Sequence, residues 1–330
     1  MLNKFWEKIG EDLAGEWNVR LLTPAFACLG GLLVIWTWKN GWGQLERLLT
    51  NLSPSTGVAL LIAGASVLST SAALVGWLAR PVLRFAEGYW PSWLWGLRKW
   101  QTRRINRMVA EKRSVWDHLA ERFEQKTLDD ESYERYVRLD RELANFPEDV
   151  NKRMPTVTGN ILRAAEEYSD RAYKLEILTT WPRLWLVLPE STRKELNEAR
   201  EALNWNAQLL TWGLIYLAAG AGLLVWLQWR WPQIVPLISV ILPAIMVILA
   251  AWLRLRSAAA LFGELLTATY DLHRFLLYEG LRWAPPVDPV SEDVMGEALT
   301  LYLKRNFPPE TLSRTGDRFV FQHKQNKGKE

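Results

Sequence analysis

The sequence has very few of the side chains that build metal sites and disulfides. Its 330 residues include one cysteine and three histidines, and the histidines do not have the spacing of metal ligands. A disulfide within the chain needs two cysteines, so a disulfide framework is excluded. Phosphate-binding loops, dinucleotide fingerprints and nucleophile elbows are also missing. We therefore expect no metal, no cofactor and no enzyme activity of those classes.

Ionisable side chains are missing from four long apolar segments. These are residues 21–38, 57–79, 207–227 and 233–253, and none contains Asp, Glu, Lys, Arg or His. A transmembrane helix needs about 20 mainly apolar residues, so each segment predicts a membrane span. Ion-coupled transporters and proton relays usually carry an ionisable group inside the membrane, and its absence argues against both classes.

The order of these segments predicts an all-α integral membrane protein, with four transmembrane helices as two hairpins that flank a helical cytoplasmic domain. After the fourth span the helical pattern continues to Trp283, and Ser291 predicts the start of a further helix. The expected parts are an amphipathic N-terminal helix at 1–20, hairpin 1 at 21–80, the cytoplasmic domain at 81–206, hairpin 2 at 207–253, C-terminal cytoplasmic helices at 254–310 and a basic tail at 311–330.

The distribution of cations predicts the orientation in the membrane. Basic residues cluster after the second span, and Arg254 and Arg256 follow the fourth, whereas the turns at 39–56 and 228–232 carry few charges. Cytoplasmic loops carry the excess of Lys and Arg. We therefore expect both termini and the connector between the hairpins to be cytoplasmic. The 20 tryptophans, a residue enriched at membrane interfaces, cluster near the expected boundaries.

A run of tryptophans and cations directly follows the second span. Next to a span, such a run is typical of a surface that binds anionic lipid at the inner leaflet. Basic residues interleaved with aromatics can also bind nucleic acid, but the position beside the membrane favours lipid, and we expect no nucleic-acid partner. The residues are Trp90, Trp93, Trp95, Arg98, Lys99, Trp100, Arg103 and Arg104.

A polar cluster in the connector is the remaining candidate functional site. Paired carboxylates could carry out acid–base chemistry, but Glu166 and Glu167 are neighbours and point in different directions on a helix. Arg163 and Glu167 have the spacing of an exposed helical ion pair. A solvated or structural role is therefore favoured over a catalytic one, and no catalytic residue is assigned. The cluster comprises Asn160, Arg163, Glu166, Arg171 and Arg183.

Helical spacing gives a further expectation in the connector. Trp181 and Trp185 are four residues apart and should share one buried face.

Spacing within the spans gives two more expectations. Pro236 and Pro243 fall on nearly one face of the fourth span and would kink it, either as a gate or, more often, as structure. Ala65, Ser69 and Ala73 repeat every four residues, which favours close packing within the hairpin over packing between subunits.

The connector contains a set of short motifs between residues 133 and 200. They are Pro155-Thr156, Gly159-Asn160, Leu162-Arg163-Ala164, Glu166, Tyr168, Arg171, Tyr173, Trp181-Pro182-Arg183-Leu184 and Leu188-Pro189. In these motifs the connector resembles a group of uncharacterised bacterial multi-pass membrane proteins. The resemblance implies a membrane protein of bacterial origin, hence the inner membrane, and implies no activity. The overall plan is also similar to that of bestrophin-type channels, as an analogy of fold alone, because that family's signature residues do not occur here.

Three functions are compatible with these patterns. The favoured one is a membrane scaffold, sensor or interaction protein, because no catalytic constellation accompanies the large polar helical surface. The first alternative is an oligomeric ion channel or pore-forming effector. The second is a membrane-bound enzyme that uses the polar cluster. The expected partners are anionic lipid, further copies of the chain and an unidentified protein.

Overall fold

A computed structural model describes residues 16–50, 53–226 and 234–305. All secondary structure in these ranges is helical, with no strand among them, which confirms the all-α class. Two short 3₁₀ turns, Ser92–Leu94 and Val150–Lys152, lie between longer helices. The helices are α1 (Glu16–Asn40), α2 (Trp42–Thr50), α3 (Pro54–Glu87), α4 (Trp95–Glu124), α5 (Asp130–Ala144), α6 (Val157–Tyr173), α7 (Ile177–Val187), α8 (Glu190–Trp226), α9 (Ile234–His273), α10 (Phe275–Gly280) and α11 (Pro289–Arg305).

The chain forms two compact units. The first, here the hairpin unit, consists of Met1–Arg84 and Leu203–Leu255. The second, the helical unit, consists of Phe85–Ala202 and Arg256–Glu330. Helices α3, α8 and α9 each contribute residues to both units. Of the expected N-terminal helix at 1–20, residues 1–15 lie outside the described part of the chain, and α1 begins at Glu16.

Two helical stretches of the described chain are long and apolar enough to cross a membrane. They are Ser55–Glu124, whose apolar part is α3, and Ile241–His273 in α9, while Pro24–Val34 is apolar but shorter. Only 11% and 22% of the residues in their most apolar parts are buried within the chain. The core helix of a soluble protein is mostly buried, so these values favour membrane association.

The prediction of four spans is not confirmed. Among the described residues only the stretches in α3 and α9 qualify as candidate spans, and the predicted segments at 21–38 and 207–227 are not among them. The expected turn at 39–56 also contains a helix, α2, and the turn at 228–232 lies outside the described residues.

The helical unit buries its main core between α6 and α11. Buried residues come from every helix of this region, among them Ala165 of α6, Leu184 of α7, Tyr270 of α9 and Leu299 of α11. A smaller cluster joins Ile105 and Val109 of α4 to Phe146 after α5. Helices α4 and α5 pack as an antiparallel pair, as the contacts Trp116–Tyr136 and Lys112–Glu142 show.

Trp181 and Trp185 share one face of α7, as their spacing predicts. Their ring centroids are 5.8 Å apart, and Trp181 also contacts Tyr270 at 6.0 Å between centroids. Both tryptophans are half-buried against the main core rather than fully enclosed. The shared face is therefore confirmed, and the burial is partial.

Side chains and left-handed residues set the ends of several helices. Thr156 begins α6 by accepting a hydrogen bond from the Gly159 N–H at 3.1 Å, and Lys174 ends it with a φ of 54°. The expected start at Ser291 is two residues late, because α11 begins at Pro289 and Asp288 accepts from the following backbone N–H groups. The helix expected to reach Trp283 breaks at Arg274, between α9 and α10.

Candidate membrane-interface surface and polar network

Three of the predicted interface tryptophans project from the helical unit. Trp93, Trp95 and Trp100 are 79%, 64% and 55% exposed. They occupy the 3₁₀ turn after α3 and the first turns of α4, whose opposite face is buried through Ile105 and Val109. Exposed apolar patches of this kind are typical of surfaces that interact with proteins or membranes.

Cations surround these rings. Lys99 Nζ lies 4.7 Å from the centroid of the Trp95 ring, and the Arg104 guanidinium lies 6.0 Å from that of Trp100. In such cation–π contacts the ring face attracts the cation, which keeps the positive charge next to the tryptophan. A groove of about 510 Å³ continues along α4 and is lined by Trp100, Arg103, Arg104, Arg107, Met108 and Glu111. We call Trp93 to Arg107 the interface surface.

Trp90 differs from the other predicted interface residues. Its indole N–H donates to the Phe85 carbonyl at 2.9 Å, and its ring stacks on Phe85 at 5.6 Å between centroids. Gly88, with a φ of +100°, turns the chain between these two residues. Trp90 therefore holds the turn after α3, while Trp93, Trp95, Arg98, Lys99, Trp100, Arg103 and Arg104 are exposed.

Asn160 of the predicted polar cluster is a buried structural residue. Its Oδ1 accepts from the Met154 N–H at 2.9 Å, and its Nδ2 donates to the carbonyls of Met154 and Thr156 at 2.7 and 2.6 Å. The side chain is fully buried. Three hydrogen bonds to backbone satisfy the amide and fix the loop that leads into α6.

The charged members of that cluster have separate partners. Arg163 pairs with Glu166 at 3.3 Å and with Glu167 at 3.1 Å along the surface of α6. Arg171 pairs with Glu148 at 2.9 Å. Arg183, on α7, donates to the Thr179 carbonyl at 2.6 Å. Of the five predicted residues, the described contacts join only Arg163 and Glu166.

A different polar network joins α6 to the end of α9. The hydroxyl groups of Tyr168 and Tyr173 both donate to Oδ1 of Asp271, at 2.8 and 2.6 Å. Arg274 places its guanidinium 4.0 Å from the centroid of the Tyr173 ring and donates to the Asp271 carbonyl. Sequence reasoning missed this network because Tyr168 and Asp271 are 103 residues apart, and no local motif links them.

Arg274 also connects this network to α11. Its Nε and Nη2 donate to the two carboxylate oxygens of Glu292 at 2.6 and 3.3 Å. This is a two-pronged ion pair with side chains 14% and 10% exposed. Burial alone would lower the pKa of Arg274, but Glu292 more than offsets it, and the net pKa is raised.

The network is suited to hold helices together rather than to activate a nucleophile. Burial, followed by the hydrogen bond to Asp271, raises the pKa of Tyr173, and the same causes raise that of Tyr168. Both hydroxyls therefore stay protonated and continue to donate. No group of three His, Cys, Asp or Glu side chains suited to a metal ion occurs within the described ranges.

Comparison with family models, curated proteins and solved structures found no match to this chain. The resemblance of residues 133–200 to bacterial multi-pass membrane proteins stays a prediction. So does the analogy with bestrophin-type channels.

The two predicted span prolines occupy different positions in α9. Pro236 is the third residue of the helix, where a proline is tolerated. Pro243 lies inside the helix, and α9 continues through it to His273. The backbone thus contains one interior proline in the fourth predicted span, and its role in a kink or gate stays a prediction.

Proposed function

We propose that this protein is a membrane scaffold that holds its helical unit against the anionic inner leaflet of a bacterial cytoplasmic membrane. The proposal has four spans, at 21–38, 57–79, 207–227 and 233–253, with both termini cytoplasmic. The helical unit would then present its polar surface to a protein partner. Lipid and that protein are the proposed partners.

The single observation that carries the proposal is the exposure of Trp93, Trp95 and Trp100 among cations. Tryptophan rings favour the boundary between hydrocarbon and water, and arginines and lysines bind lipid phosphates. Each cation near an anionic membrane surface contributes about 1 kcal/mol. The interface surface carries Arg98, Lys99, Arg103, Arg104 and Arg107 and one nearby acid, Glu111.

The exposed aliphatic residues of α3 support the membrane part of the proposal. Leu61 and Ile62 are exposed on α3. In water they would belong to a contiguous apolar patch, whereas soluble proteins normally expose large apolar residues singly. If lipid hydrocarbon surrounds α3, these side chains no longer contact water, and the unfavourable free energy of that contact is avoided.

A fluorescent probe at Ser92 tests whether the interface surface lies on the membrane. Ser92 is exposed in the 3₁₀ turn beside Trp93. The full chain with Cys28→Ser and Ser92→Cys, labelled with an environment-sensitive dye, is reconstituted with phosphatidylglycerol or phosphatidylcholine. We expect a blue shift and quenching by nitroxide lipid in phosphatidylglycerol. Equal emission in both lipids would contradict docking to an anionic surface.

Two variants control this experiment. Replacing Arg103, Arg104 and Arg107 by Gln should return the Ser92 emission in phosphatidylglycerol to its value in phosphatidylcholine. The same dye at Lys126→Cys, in the turn after α4, should report water in both lipids, since Lys126 is exposed and remote along the helix from the interface surface.

An oligomeric channel is the second candidate, and the small-residue row on α3 favours it. Ala65, Ser69 and Ala73 are exposed in the described chain, while the face with Ala72, Val75 and Ala79 is buried. A small-residue row that is free within one subunit can pack against a neighbouring subunit.

The mass of the particle in nanodiscs separates the two candidates. A closed ring of four or more subunits, with ion flux that Pro243→Ala alters, would support the channel. A monomer or dimer without flux would support the scaffold.

A further inference from the structure

The hairpin unit contains an apolar cavity that the proposed scaffold role does not use. Its volume is about 510 Å³, within the range of about 300 to 1,000 Å³ of ligand pockets. No charged side chain lines it. Three helices contribute to its wall, with Cys28 from α1, Trp205, Trp212 and Tyr216 from α8, and Pro243 and Val247 from α9.

The cavity is about as deep as one leaflet of a bilayer. Along α8 its lining runs from Trp205 to Tyr216, and the eleven residue steps between them rise about 16 Å. The hydrocarbon core of a bilayer is about 30 Å thick, so one leaflet is about half of that. Trp205 follows the charged part of α8, which ends at Arg200 and Glu201, and therefore marks the water-facing end of the cavity.

A cation lies at this same end of the cavity. Helices α8 and α9 are separated by seven residues and contact each other at Gly213 and Ile248, so they run antiparallel. Trp205, before Gly213, and Arg254, after Ile248, are therefore at one end. Arg254 is exposed and stands seven residues after Val247, which places it on nearly the same face about 10 Å further along α9.

We propose that this cavity binds one acyl chain of an anionic phospholipid from the inner leaflet, with the lipid phosphate towards Arg254. The apolar lining, the one-leaflet depth and the cation at the Trp205 end together match a phospholipid. This inference rests on the membrane placement in the proposed function. The interface surface would attract anionic lipids in general, whereas the cavity would bind one specific lipid molecule per chain.

Native mass spectrometry with phosphatidylglycerol tests the proposal on the full chain. After incubation with phosphatidylglycerol in detergent and removal of excess lipid, the protein should retain one phosphatidylglycerol. Ala27 lines the cavity but is otherwise exposed, so Ala27→Phe should fill the space and weaken retention about tenfold or more, as overpacking of a site does. Ala73→Phe makes the same change at an exposed position of α3 outside the cavity, and should retain lipid like the parent chain.

The only thiol gives an independent readout on the unaltered chain. Cys28 is buried in the cavity wall, so adding phosphatidylglycerol should slow its alkylation by N-ethylmaleimide several-fold. Arg254→Gln should remove the preference for phosphatidylglycerol over phosphatidylcholine. Equal retention by Ala27→Phe and Ala73→Phe, or an alkylation rate that lipid does not change, would overturn the proposal.

Failure of this site can be separated from failure of the membrane placement. If lipid does not protect Cys28 while the Ser92 probe still reports docking, only the cavity proposal is wrong. If alkaline carbonate extracts the chain from membranes, both proposals are wrong.

Discussion

Gly159 lies directly against the carbonyl oxygen of Glu87. A β carbon at position 159 would stand 1.7 Å from that oxygen and 3.0 Å from the Thr156 hydroxyl. Glycine is thus required where the first turn of α6 meets the last residue of α3, because no other residue permits this approach. The contact joins the end of an apolar helix to the start of the polar helix that carries Tyr168 and Tyr173.

Gly159→Ala should destabilise the helical unit strongly. The clash is with backbone atoms that cannot rotate away, so we expect a loss of about 3 kcal/mol or more, at the upper end for overpacked sites. Thermal unfolding followed by tryptophan fluorescence measures it. Gly96→Ala, on α4 with nothing within 4 Å of the added carbon, should be neutral or slightly stabilising. Similar melting of both variants would mean that the close contact is absent.

Trp181→Ala should cost about 3 kcal/mol of unfolding free energy. The indole packs on Trp185 and Tyr270 and borders the main core, and truncation of a large aromatic at such a site leaves a cavity. Leu178→Ala on the same helix is the control, because Leu178 is 82% exposed and should change stability by less than about 0.5 kcal/mol. An unaltered denaturation curve for Trp181→Ala would refute the packing described.

Glu292→Gln should loosen α11 from the rest of the helical unit. It removes the charge that Arg274 pairs with, and breaking one side of a buried pair costs about 3 kcal/mol or more. Hydrogen exchange of α11 should rise selectively. Arg171→Gln breaks an exposed pair with Glu148 instead and should cost about 1 kcal/mol or less. A uniform rise in exchange across the unit would argue against this anchoring role.

Acid should weaken the attachment of α11 at a second point. The hydrogen bonds from Lys304 and then Thr179 lower the pKa of Glu176 below its ordinary value of 4.5. A carboxylate whose pKa is lowered by folding stabilises the fold at pH values above its ordinary pKa. This stabilisation is lost as the pH falls through the lowered pKa. The melting temperature of Glu176→Gln should therefore lie below the parent's at pH 7, and the gap should close in acid. A gap that is constant with pH would exclude this linkage.

Local patterns were sufficient for the all-α class and for the shared face of Trp181 and Trp185, which follow from apolar periodicity and helical spacing. The start of α11 was misplaced by two residues because Asp288 and Ser291 are both good caps, and only the fold decides between them. The break at Arg274 has no helix-breaking residue, and it coincides with the bonds from Arg274 to Asp271 and Glu292.

Among the candidate sites, too, local sequence predicts some and only the tertiary structure reveals the others. The interface surface is contiguous in sequence, so composition and position beside a span were enough to find it. The Asp271 network draws on three helices distant in the chain, and the cavity around Cys28 also needs three. Such sites depend on tertiary packing that hydrophobic periodicity does not specify.

The orientation of the hairpins in the membrane is the central claim, and single-cysteine labelling tests it most directly. In a Cys28→Ser background, cysteines replace Gln44, Lys126, Gln228 and Asp293 one at a time. An impermeant maleimide is applied to intact spheroplasts and to inverted vesicles. The account predicts that positions 44 and 228 react only from outside and positions 126 and 293 only from the cytoplasmic side. Labelling of positions 44 and 126 from the same side would contradict it.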